Sequence, residues 1–150
     1  MITTLRAANF SKPILCKIRL LDTLADTIEF ARLLESAGCD ALAVHGRKRG
    51  SAKRRRAGLA DLEQIRRIRA AVQIPVIANG NIRTGLDAVR NLALTQCEGV
   101  MSAEGILANP KLFQTHESAI DGESIKREPM ECIQMAYESV TEGRIHEKSK

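Results

Sequence analysis

Four short stretches of nearly unbroken apolar residues punctuate the chain: PILCKIRL from Pro13, DALAVHG from Asp40, IPVIANG from Ile74 and EGVMSAEG from Glu98. Continuous apolar runs, as opposed to alternating ones, suit strands buried on both faces of a parallel sheet. Helical periodicity follows each of the first three. DTLADTIEFARLLESAGCD places Leu24, Ile28, Ala31 and Leu34 on one face, with Thr23 and Asp26 at capping-box spacing and Gly38 placed to end the helix. DLEQIRRIRAAV sets Leu62, Ile65, Ile68 and Val72 at helical spacing behind a capping Asp61, and turns Arg66, Arg67 and Arg69 elsewhere. TGLDAVRNLAL opens with Thr84 and Asp87 at the same capping spacing and is expected to bury Val89 and Leu92.

Strand and helix in alternation give right-handed parallel units, in an open doubly wound sheet or in a barrel. A complete eight-unit barrel takes roughly 250 residues, so four units correspond to half of one. After NPKLF the pattern stops. QTHESAIDGESIKRE is polar and turn-rich, and PMECIQMAYESVTEGR then resumes as a helical pattern with Met130, Ile133 and Tyr137 on one side. The expected organisation is an α/β unit over residues 1–115, then a linker and the start of a helical domain over residues 116–150 that the chain does not finish.

Composition narrows the setting. At 150 residues and 44% apolar content there is enough material for one domain with a core. No apolar run approaches the roughly 18 residues a membrane helix needs, so a soluble protein without a membrane partner is expected. The amino-terminal MITTLRAANFSKP lacks the continuous apolar centre of a secretory signal. The expected location is cytoplasmic or nuclear, with a mitochondrial one left open. Cys16, Cys39, Cys97 and Cys132 form no C-x-x-C pair, which argues against a metal site or redox dithiol and for small buried apolar residues. The net charge of +5 is unevenly spread: the stretch from Arg47 to Arg56 holds seven basic residues and no acid. Such a run attracts polyanions in a salt-dependent way, although by itself it reads equally as a solvated loop.

In parallel α/β folds ligands meet the carboxyl ends of the strands. The residues delivered there are Lys17 with Arg19, His45 with Arg47, Asn79 with Asn81, and Ala103-Glu104-Gly105. A lysine or histidine in such a place is ordinarily just leaving the core. More informative are Gly80, which permits close backbone approach, and SAEGILANP, a small-residue turn into a helix amino terminus. Together the last two strands read as a phosphate cradle, with Lys17 and His45 further round the rim.

The motifs CKIR, VHGR, VIANGNI and GVMSAEGILANPKLF, in this order and at these separations, closely resemble the flavin-dependent tRNA-dihydrouridine synthases, above all the eukaryotic subfamily. The resemblance covers about residues 12–115. It implies the second half of a TIM (β/α)8 barrel, four βα units, followed by the beginning of a helical domain. It implies FMN over the carboxyl ends of the strands, with Lys17 near the pyrimidine edge of the flavin and His45 donating to the same ring system or to the phosphate side. Asn79, Gly80, Asn81 and the backbone at Ala103 and Glu104 would hold the ribityl phosphate. Arg47 would face the substrate, and Lys53, Arg54, Arg55 and Arg56 would belong to a tRNA-contacting rim. The activity implied is that of an oxidoreductase reducing uridine to 5,6-dihydrouridine in tRNA, with NADPH as the reductant.

Family members carry a proton-donating cysteine in an N-x-G-C-P context, and no cysteine here has those neighbours, so no catalytic residue is assigned. Alternation turns Cys16 away from Lys17. The chain is therefore expected to be inactive alone, and to pair with a missing barrel half or with itself. Lys48 and Arg49 after His-Gly-Arg, and Asn81 where many members have Asp, depart from the family pattern. Two alternatives stand beside this reading: a non-catalytic RNA-binding half-barrel, and another FMN- or phosphate-binding barrel oxidoreductase.

Overall fold

The computed structural model describes residues 1–48 and 58–114. Most of the basic run, including Lys53 to Arg56, and the expected helical segment over residues 116–150 lie outside the described residues. The elements in chain order are α1 (Ile2–Ala7), β1 (Leu15–Leu20), α2 (Leu24–Ser36), β2 (Ala41–Lys48), α3 (Leu62–Ala71), β3 (Val76–Asn79), α4 (Gly85–Thr95), β4 (Gly99–Met101) and α5 (Glu104–Ala108).

All four strands are parallel and lie in the order β1-β2-β3-β4. This order decides between the two architectures left open by the sequence. A doubly wound sheet reverses its order at a switch point and carries helices on both faces. Three crossovers running one way, right-handed as such units are, place α2, α3 and α4 on one face, which is the geometry of half a (β/α)8 barrel.

One sheet face is the core. Ile18, Leu20, Leu42, Val44, Val76, Ala78 and Val100 pack against Ala31, Ile65, Ile68, Val72 and Ala88 from the helices, with Cys16 partly buried beside them. The expected helix signals operate locally. The hydroxyl of Thr23 accepts from the Asp26 N–H, the carboxylate of Asp61 from the Gln64 N–H, and Thr84 with Asp87 forms a complete capping box. The buried stripe of α4 differs from expectation. Ala88, Asn91 and Thr95 are fully buried, Leu92 only partly, and Val89 is half-buried. The cause is Asn91, whose Nδ2 donates to the Gly80 carbonyl at 3.1 Å and so turns the helix about its axis toward β3. A helical pattern built from apolar residues alone does not register a buried amide.

Polar locks gather at the amino ends of the strands. Arg6, on the unforeseen helix α1, donates to the Gly38 carbonyl through Nε and Nη2 (3.0 and 2.8 Å), to Phe10 and Lys12 carbonyls through Nη1 (2.9 and 3.1 Å), and pairs with Asp40. The Asp40 carboxylate also accepts from the Ile14 N–H, joining the starts of β1 and β2. Glu98 accepts from the Val76 N–H at 2.8 Å and pairs with Arg69, and Glu35 accepts from the Gln73 and Ile74 N–H groups at 2.7 and 2.9 Å. Of the three arginines expected to point away from the core, Arg69 thus closes the base of the sheet, while Arg66 and Arg67 pair with Glu63 on the helix surface.

Ile65 is completely buried, and Ile65→Ala is expected to cost about 2–5 kcal/mol, read as a lower urea midpoint. Leu33, 61% exposed on α2, should by contrast tolerate alanine within about 0.5 kcal/mol. Equal losses at the two positions would contradict the assigned core.

Candidate functional site

The face of the sheet opposite the helices carries the polar residues in rows set by the strand register. Lys17 pairs with Ala43, Ala43 with Ile77 and Ile77 with Gly99. One step closer to the carboxyl ends, Arg19 pairs with His45, His45 with Asn79 and Asn79 with Met101. Side chains two residues apart on a strand share a face, so Lys17 and Arg19 on β1 project to the same side as His45 on β2; Arg47 follows in the irregular stretch where Leu20 meets Lys48. None of the strand positions on this face is acidic. Lys17, His45 and Asn79 of the expected set are therefore brought together. Arg19 joins them although sequence reasoning left it without a role; its place two residues after Lys17 was the signal.

The row is electropositive. Burial and then the Arg19 charge lower the Lys17 ammonium below its usual value. His45 is lowered to about 4, first by burial and then by Arg19, Lys17 and Arg47 in turn. At neutral pH it is therefore a neutral imidazole among three cations, able to donate from one ring nitrogen and accept at the other. The arrangement selects for an anion or for a group that becomes one.

Beyond the strand ends the loops meet at backbone distance. Gly80 has φ +126°, and a Cβ on it would fall 2.6 Å from the Ala60 Cβ and 3.3 Å from His45 Cδ2. Only glycine suits both the conformation and the space. Asn81, in the left-handed region at φ +61°, accepts from the Ala60 N–H at 2.9 Å and donates to the Ala60 carbonyl at 3.1 Å. Asn79 is buried and donates to the Met101 carbonyl at 2.7 Å, tying β3 to β4. The next turn is closed by Ser102, whose hydroxyl donates to the Ile82 carbonyl at 2.9 Å, and by Gly105, where a Cβ would lie 2.5 Å from that same oxygen. Ala103 is the N-cap of α5 and Glu104 its first residue, both at the carboxyl end of β4.

Two of the expected ligands thus have structural engagements that their sequence did not disclose: the Asn79 amide holds Met101, and the Asn81 amide holds Ala60. Arg47 reaches the same corner, with Nη2 at 3.5 Å from Asn81 Oδ1, and Lys48 donates to the Asp22 carbonyl at 2.7 Å. Lys53, Arg54, Arg55 and Arg56 lie outside the described residues.

The described cysteines are not on this rim. Cys16 packs on the helix side of β1, and Cys39 and Cys97 are buried, their thiols pushed up to about 11 chiefly by burial. Such groups stay protonated and are poorly placed to act as acids toward a ligand on the opposite face. Among the described residues no group of three or more His, Cys, Asp or Glu side chains could hold a metal ion, and no helix is long and apolar enough to cross a membrane.

A profile of the family described as Dihydrouridine synthase (Dus) matches residues 1–149. The chain is 47% identical over 112 residues to a tRNA-dihydrouridine(16/17) synthase-like protein of Rattus norvegicus, an overlap of 75% of this chain and 25% of the relative. It is 39% identical over 114 residues to the tRNA-dihydrouridine(16/17) synthase of Schizosaccharomyces pombe, covering 75% of this chain and 28% of that one. Among solved structures, nitroalkane oxidase from Streptomyces ansochromogenes superposes with a TM-score of 0.50 at 29% identity, over 71% of this chain and 30% of the oxidase. The chain spans about a quarter of the length of the curated relatives it matches. With four motifs in order, four sequential parallel βα units and a family match over nearly its whole length, the chain belongs to the dihydrouridine synthase family.

Proposed function

We propose that this chain supplies the flavin-holding and RNA-facing half of a tRNA-dihydrouridine synthase, an oxidoreductase that reduces uridine to 5,6-dihydrouridine in tRNA with NADPH. The observation that carries the reading is the row formed by the cations Lys17 and Arg19 with the neutral imidazole of His45 at the carboxyl ends of parallel strands, on the face away from the helices.

The residues present fit FMN. Its phosphate and its electron-accepting ring both call for positive charge and hydrogen-bond donors, which this face offers without a competing strand carboxylate. Gly80 lets a flat ligand approach the backbone where a Cβ would already be crowded. Bound FMN would supply the redox chemistry, drawing on NADPH and acting on the C5–C6 bond of a uracil. The protein's own part is positioning and charge. Lys17 would hold a positive charge toward the pyrimidine edge of the bound ring, as the family resemblance implies. Neutral His45 donates a hydrogen bond, and its suppressed basicity keeps it from becoming a further cation at pH 7. Asn79 holds β3 and β4 in register, while Gly80, Asn81 and the backbone at Ala103 and Glu104 form the phosphate end. Arg47 and the basic residues Lys53, Arg54, Arg55 and Arg56 hold the RNA, whose target base must leave its stack to reach the flavin.

A proton donor is not among these residues, since the described cysteines face the helices or lie in the core. Turnover then requires a cysteine brought by another barrel half, and the chain is expected to hold ligands without turning over. That none of the described cysteines lies on this rim also favours a second reading, an RNA-binding half-barrel that takes no flavin.

Adding the full chain to FMN is expected to quench flavin fluorescence, and Lys17→Ala to weaken binding about tenfold or more while leaving the urea midpoint in place. Salt-sensitive tRNA binding with no effect on FMN would instead leave the RNA-binding reading. The His45 imidazole should titrate near 4 by NMR and shift upward when an anionic ligand is bound. Because the unfolded imidazole takes its proton near 6.5 and the folded one near 4, stability should fall as pH drops through that window, and His45→Gln should flatten the slope. A His45 titrating at its ordinary value would contradict the assigned field.

A further inference from the structure

Arg47 is a half-buried guanidinium whose Nε is buried with no hydrogen-bond partner, and among the described residues it makes no ion pair. Four other arginines are neutralised by carboxylates: Arg6 by Asp40, Arg66 and Arg67 by Glu63, and Arg69 by Glu98. The described side chain that approaches Arg47 is Asn81, at 3.5 Å from Nη2 and on the long side for a hydrogen bond. Asn81 is held by the two Ala60 backbone bonds, so its Oδ1 already serves another donor. The corner is completed by the Ala60 Cβ lodged over Gly80 and by the Asp61 N–H donating to the Gly46 carbonyl at 2.6 Å.

A buried arginine nitrogen without a partner is costly, and an anion is the group that removes the cost. We propose that Arg47 forms a phosphate-binding site and that the neutral amide of Asn81 is what keeps its charge available, making residue 81 the determinant of the site's strength. Asn81 can build the Ala60 clasp because an amide both donates and accepts; an aspartate there would lose the donor to the Ala60 carbonyl and place a carboxylate against the guanidinium. The same backbone would therefore carry an internal ion pair in place of an anion site. This deepens the proposed function, since it rests on the rim being a ligand-binding face. The phosphate could be that of FMN or a phosphodiester of the RNA, and the two sources are separable.

The test uses the full chain with inorganic phosphate, FMN and a short oligouridylate as probes, binding being followed through the His45 imidazole resonances and by fluorescence. Asn81→Asp is expected to weaken phosphate binding about tenfold. It should also raise the His45 pKa, because the new carboxylate offsets the Arg47 charge that helps to lower it. Asn81→Gly accepts the positive φ and removes the clasp but stays neutral, so it should lose clearly less phosphate affinity than Asn81→Asp, and Arg47→Gln should lose binding altogether. If FMN loses affinity in Asn81→Asp and the oligouridylate does not, the phosphate is the flavin's; the reverse pattern assigns it to RNA. Should Asn81→Gly lose as much as Asn81→Asp, the residue acts through the clasp alone and the proposal is overturned. Unchanged phosphate binding in Asn81→Asp overturns it as well. FMN bound normally by every variant, with no phosphate binding by any of them, removes the Arg47 site but leaves the flavin reading intact.

Discussion

Parallel pairing in sequential order is the constraint on which everything else here rests. Because β1 to β4 run the same way and each neighbours the next, every crossover falls on one side and every carboxyl end on one rim. The helices then cover one sheet face completely and leave the other to Lys17, Arg19, His45 and Asn79. A two-residue side-chain period converts that single topological fact into one polar, electropositive row: no residue of the row is near another in the sequence except Lys17 and Arg19, yet register places them side by side.

Charge is divided between the two ends of the sheet. At the amino ends it is paired and satisfied. Arg6 with Asp40 and Arg69 with Glu98 use both members of each pair on the neighbouring backbone as well, so they fasten strands to loops and leave little net field. At the carboxyl ends no strand carboxylate stands beside the cations, and His45 is lowered first by its burial and then by the charges of Arg19, Lys17 and Arg47. The small residues follow the same division. Gly80 and Gly105 sit where loops close at backbone distance around the rim, which allows neighbouring turns to act as one surface.

Much of the framework was legible in the sequence because it depends on local rules. The caps at Thr23, Asp61 and Thr84, the apolar stripe of α3 and the strand cores all follow from spacing, whereas on α2 only Ala31 of the expected stripe is fully buried, Leu24, Ile28 and Leu34 partly so, and Thr27 is buried without having been expected. The illegible parts are those in which a polar side chain bonds a distant backbone. Asn91 is buried because Gly80 lies above it, and so Val89 is displaced from the expected stripe. Arg6 gives α1 a function that no periodicity in six residues could announce. For the rim, the residue types and their strand-end positions were readable, whereas the engagement of Asn79 with Met101 and of Asn81 with Ala60 needed the fold to bring partners 22 and 21 residues away into contact.

The proposed seat of the flavin is the sheet face opposite the helices. Mapping of amide and side-chain chemical shifts on the full chain during titration with FMN reads it directly. FMN seated there gives the largest shifts at Lys17, Arg19, His45, Asn79 and Gly80, extending to Ala103 and Glu104, with α3 and the Arg6–Asp40 end silent. Shifts centred on the helices or on the amino ends of the strands, or none at saturating FMN, would contradict it.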